Sequence, residues 1–92
     1  MFLEIVSPEA TLFSHEISAL SAPGIDGEFQ MLNNHAAIVS ALGPGKIKIE
    51  GDGVEIAEEF KNDFIKEGNK YALSINSGTL EMKENKIIVL ID

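Results

Sequence analysis

The chain has no cysteine and no tryptophan, a single tyrosine and few bases. Without cysteine there are no disulfides and no thiol nucleophile, and a reducing compartment is compatible with the chain. Without tryptophan, and with Tyr71 alone of its kind, the aromatic platforms of a carbohydrate-binding module are poorly supplied. Seven basic against 15 acidic side chains leave a formal charge of −8. Phosphate backbones and anionic lipid surfaces are bound by clustered Lys and Arg, so both are disfavoured as partners. A polar or basic protein surface fits the charge; solubility alone accounts for it equally well. No run reaches the roughly 18 apolar residues of a membrane helix; the longest is Ile87 to Ile91. No basic region followed by a long apolar stretch opens the chain, so no signal peptide is expected.

What is present is a chain of one-domain length, 92 residues, 45% of them hydrophobic. A chain of this size buries roughly 60–65% of its unfolded surface, enough for one core. Short alternating runs, broken by turn residues, recur along it. Phe2 to Val6 reads as a strand stopped at Pro8, which cannot donate to a ladder. Thr11-Leu12-Phe13 is a second, with a turn at Ser14-His15 and a further run from Glu16 to Ser21. Ala37 to Leu42 favours strand through Ile38-Val39. Lys46 to Glu50 alternates isoleucines with charges, and Gly51-Asp52-Gly53 reads as a hairpin turn into Val54-Glu55-Ile56. Ile56, Phe60 and Phe64 fit a helical stripe and a strand alike; a short helical turn is expected near Ala57–Asp63, with a continuing hairpin as the rival. Tyr71 to Ile75 and Thr79 to Lys83 alternate again. Glu84-Asn85 turns the chain into Ile87–Ile91, a run expected to be buried on both faces. Many short strands with frequent turns predict an all-β fold, a sandwich or a barrel, in one domain spanning 1–92.

The run from Ala22 to Ala37 concentrates the polar features. Pro23-Gly24 and Asp26-Gly27 are turn signals. Between Gly27 and Leu32, Glu28 and Gln30 fall on one face of a strand, Phe29 and Met31 on the other. Asn33-Asn34-His35 makes a corner, because asparagine tolerates left-handed backbone.

Chemistry is sparse. A serine or threonine nucleophile would need His15 or His35 as base, and no Gly-x-Ser-x-Gly elbow occurs. The acids Glu50, Asp52, Glu55, Glu58 and Glu59 do not scan as a calcium loop, and no glycine-rich phosphate loop is present. No cofactor or metal is expected. What remains is binding, with Glu28 the sharpest residue; an edge charge that deters strand pairing explains it as well.

The run Pro23-Gly24-Ile25-Asp26-Gly27-Glu28-Phe29-Gln30-Met31, followed by His35-Ala36, resembles the N-terminal domain of the epsilon subunit of F-type ATP synthases. Leu3 to Glu9, Ala72 to Met82 and Asn85 to Leu90 extend the likeness in the same order. Asn33-Asn34 stands where that family has Pro-Gly or Pro-Asn, Ile91 replaces an alanine, and Gly51 to Lys70 is longer than usual. The resemblance implies an all-β sandwich of about ten strands and a non-catalytic rotor subunit of the central stalk, coupling a membrane rotor ring to the gamma subunit in proton-driven ATP synthesis. It implies ring contact at Gly27, Glu28 and Phe29, and gamma contact at Asn34, His35 and Ala36. It implies a peripheral place on the cytoplasmic face of a bacterial inner membrane, reached through the complex. Some family members bind ATP on a C-terminal helical pair, which a chain ending at the last strand is expected to lack. The alternatives are a free-standing sandwich binding protein or carbohydrate, and a small hydrolase using His35 with a carboxylate.

Overall fold

A computed structural model describes all 92 residues. Ten strands follow the alternation of the sequence: β1 (Phe2–Val6), β2 (Thr11–Glu16), β3 (Ala19–Gly24), β4 (Gly27–Leu32), β5 (Ile38–Leu42), β6 (Gly45–Glu50), β7 (Phe64–Glu67), β8 (Lys70–Ile75), β9 (Gly78–Lys83) and β10 (Lys86–Ile91). A 3-10 helix, Glu58–Asp63, precedes β7. The strands form one sheet in the order β2-β1-β10-β9-β5-β3-β6-β8-β7, with β4 on β3. Every ladder is antiparallel except β1 with β10. Between β5 and β3 the ladder is a single bridge, Gly24 to Leu42. There the sheet folds over into two leaves, β2-β1-β10-β9-β5 and β4-β3-β6-β8-β7. The result is a sandwich of ten strands.

Period-two alternation fills the space between the leaves. Leu3 and Ile5, Leu80 and Met82, Ile87 and Val89 face inward from one leaf; Leu20 and Ala22, Ile47 and Ile49, Leu73 and Ile75 face them from the other. No polar side chain is buried. A close-packed apolar interior of this kind yields little to a local load.

The structure differs from the sequence reading at Ser14-His15, at Val54-Glu55-Ile56 and along Ile87–Ile91, and bears out the helical turn expected near Ala57–Asp63. Ser14-His15 is no turn: β2 runs on to Glu16, because β1 offers it a full-length edge, and the break falls at Ile17-Ser18. Val54-Glu55-Ile56 alternates but forms no strand, since β6 is already flanked by β3 and β8 and has no free edge to return along. The helical turn expected at Ala57–Asp63 is the 3-10 helix, and Phe64 leaves it for a strand, so the helical stripe ends there. The run Ile87–Ile91 is buried on one face only: Ile87 and Val89 are fully enclosed, whereas Leu90 is 52% exposed.

Candidate functional site

The tip of the β3–β4 hairpin is the two-residue loop Ile25-Asp26, closed by Gly24 opposite Gly27 and Pro23 opposite Glu28. Gly27 has φ of 129°, a conformation that glycine adopts without strain. The hairpin is pinned close to its tip. The Ile25 N–H donates to the Ala41 carbonyl at 3.2 Å and the Gly43 N–H to the Pro23 carbonyl at 2.8 Å. A Cβ on Gly45 would lie 2.7 Å from Pro23 Cβ, so only glycine lets β6 start this close. Phe29 points inward and packs on the core behind the tip. Asp26 and Glu28 are exposed and enter none of the five ion pairs of the chain. Ile25, 68% exposed, stands beside them.

The corner Asn33-Asn34-His35 lies at the other end of β4, about 20 Å away at ~3.3 Å per residue. It too is fixed. Asn34 takes the left-handed conformation, φ 63°, that glycine would otherwise supply. Its N–H donates to Asn85 Oδ1 at 2.8 Å. Asn85 belongs to the β9–β10 turn, where Glu84 and Asn85 both have positive φ, the geometry of a two-residue primed turn. Asn33 Oδ1 accepts from the Met1 amino group at 2.5 Å, which also pairs with Glu16 at 3.2 Å. The His35 N–H donates to the Leu32 carbonyl at 3.1 Å. His35 Nδ1 lies 2.7 Å from the Ala36 carbonyl. A carbonyl only accepts, so Nδ1 carries the proton and a neutral ring offers Nε2 to solvent as an acceptor.

From this corner the chain enters β5, whose outward side chains continue an exposed apolar face. The register places Val39, Glu81, Ile88 and Glu4 in one row, and Ala41, Thr79, Leu90 and Val6 in the next. Val39 is 75% exposed. Lys86, 3.6 Å from Glu4 and 5.8 Å from the Phe2 ring centre, borders this face at the corner end. The sequence reading placed no site here, because Val39 and Leu90 lie in apolar runs whose alternation does not mark an outward side.

Other candidates do not converge. His15 sits on β2, its Nδ1 2.7 Å from the Glu16 carbonyl, and its ring faces Phe13. No three His, Asp or Glu side chains gather in a geometry that could hold a metal. No helix is long and apolar enough to cross a membrane.

The family model for the ATP synthase Delta/Epsilon chain, beta-sandwich domain, matches residues 1–92. The chain belongs to that family. Within it, the chain is 37% identical over 90 residues to the ATP synthase epsilon chain of Campylobacter fetus, covering 98% of this chain and 59% of that one. It is 36% identical over 92 residues to the epsilon chain of Campylobacter curvus, covering 100% and 60%. The chain thus spans about three fifths of the length of these relatives. The fold is also that of a chain in the Euglena gracilis mitochondrial ATP synthase, with a TM-score of 0.74 at 18% identity over 97% of this chain and 48% of that one. A chain in the central stalk and ring of the Tetrahymena thermophila enzyme matches with a TM-score of 0.69 at 17% identity, covering 99% and 62%. The delta/epsilon family frame accounts for the ten-stranded sandwich, and Asn34 supplies the left-handed bend at the corner.

Proposed function

We propose that this chain is the sandwich part of a central-stalk subunit of an F-type ATP synthase, standing between the gamma subunit and the membrane rotor ring. Its role is mechanical: it passes torque between two partners and carries out no chemistry of its own. The observation that carries this reading is the pair of pinned surface features at opposite ends of β4, one leading into the exposed apolar face around Val39 and Leu90. A stiff strand pair with a docking feature at each end suits a coupling element. Asn34, His35 and Ala36, with the adjoining face, are assigned to gamma. Gly27 and Glu28, with Phe29 backing them from the core, are assigned to the ring. The place of work is then the membrane surface, the cytoplasmic face in a bacterium, reached through the complex.

An acidic tip with no internal partner is poised for a basic surface, where charge sets orientation and encounter rate more than affinity. Glu28→Lys tests the ring assignment. The variant should fold as the parent does, because the side chain is exposed, and should be lost from the purified complex more readily at low salt. Equal retention of the two proteins would remove Glu28 from the contact.

A further inference from the structure

The outer strands β2 and β7 face each other across the sandwich, on the edge away from β4, and no ladder joins them. Phe13 and Phe64 meet from the two sides with ring centres 6.3 Å apart, which closes the gap at the depth of the core. Above them it widens into a cleft of about 620 Å³. Glu9 and Leu12 line one wall, Phe60, Asp63 and Ile65 the other, and Ile91 the base.

Three properties define what fits. The walls offer apolar surface, including Ile65 at 55% exposure. The edges offer hydrogen bonds. Glu67 and Lys70 pair across the two-residue turn Gly68-Asn69, so along β7 Lys66 points its N–H and C=O groups away from β8. Such an edge is a template for an added strand. The β2 edge is less suited, because a register shift interrupts its ladder where it meets the cleft. The third property is charge. Glu9 and Asp63 stand on opposite rims, and no lysine lines the cleft. Lys61 of the neighbouring helix is already held by Glu58 at 2.9 Å, and Lys66 lies over the Tyr71 ring at 5.6 Å.

We infer that this seam binds an extended segment of a partner protein in which apolar residues alternate with lysine or arginine, added as a strand to the free edge of β7. Period two sends the apolar side chains into the cleft and the basic ones toward the rim carboxylates. The inference is independent of the rotor contacts, which lie on other surfaces.

The test is an amide NMR titration of the 92-residue chain with a capped Lys-Val-Lys-Val-Lys-Val peptide, and with its Glu-for-Lys counterpart. The expected result is saturable shifts at β7, Leu12 and Ile91 with the lysine peptide and none with the glutamate peptide. Raising salt from about 50 to about 500 mM should weaken binding about tenfold, since it shortens screening to a few ångströms. The exposed double variant E9K/D63K should lose binding by at least about tenfold with a native spectrum. Lys66→Pro should also lose it, because proline removes an outward donor and leaves the β8 ladder bonds in place. No shifts at millimolar peptide, equal response to both peptides, shifts centred on β4 or β5, or unchanged binding by E9K/D63K would each overturn the inference. Seam shifts that follow protein concentration without peptide would assign the cleft to a second copy and overturn it as well.

Discussion

The exposed face of β5, β9 and β10 gives the most direct test of the stalk assignment. The perturbation is the double variant V39T/L90Q. Burying a valine or leucine side chain fully is worth about 1.5–3 kcal/mol. Val39 leaves 75% of its surface exposed and Leu90 52%. The part still open to a partner is therefore about 1 kcal/mol for each, about 2 kcal/mol together. At ~1.4 kcal/mol per factor of ten, the Kd for the gamma subunit should weaken by about 25- to 30-fold. The fold should barely register the change. Threonine suits a strand as valine does, the altered surface already faces water, and such exposed substitutions cost about 0.5 kcal/mol or less. Calorimetry against purified gamma reads the affinity, and thermal melting reads the fold. Ile65→Thr, on the opposite leaf, serves as the control and should leave the affinity unchanged. An unaltered Kd for V39T/L90Q alongside an unaltered melt would refute the assignment of this face, because the loss of that much covered apolar surface cannot be silent.

Two further outcomes follow from the local geometry. Asn34→Gly should hold stability within about 0.5 kcal/mol, whereas Asn34→Val should lose about 1–2 kcal/mol, because the backbone bond to Asn85 survives in both and only valine resists a positive φ; urea unfolding that ranks the two equally would contradict this. Lys46 lies 3.0 Å from Glu67, and its hydrogen bond first, its charge second, hold the Glu67 carboxyl below the ordinary glutamate range. A depressed carboxylate stabilises the fold above that ordinary range and loses the contribution as pH falls through the lowered value, so Glu67→Gln should flatten a small acid limb in the melting temperature; parallel curves for the two proteins would refute the pairing.

Much of this architecture is legible in the chain itself, and the exceptions have identifiable causes. Lys46 to Glu50 and Thr79 to Lys83 alternate polar and apolar residues, and the core takes their apolar sides as that pattern requires. Val54 to Ile56 alternates equally well but finds no open neighbour, and a strand is defined by its partner as much as by its sequence. Ile87 to Ile91 gives no parity signal, because Ile88 and Leu90 are apolar on a side the free domain leaves open. The tight bend at Asn34 is readable from residue type. The bonds that hold it join residues 32 and 51 positions apart, and no local pattern announces them. The tip was visible in its glycines, whereas the β2–β7 cleft arises only when two distant edges are brought together.

An interior without a single polar side chain carries a consequence of its own. The side-chain ion pairs Lys46–Glu67 and Lys61–Glu58 lie at its rim, open to solvent. No fully buried side chain carries a titratable group. The domain should therefore shed surface pairings one by one as conditions turn acidic while its hydrocarbon centre stays indifferent, and its shape should depend on temperature and cosolvent far more than on the hydrogen-ion concentration around it.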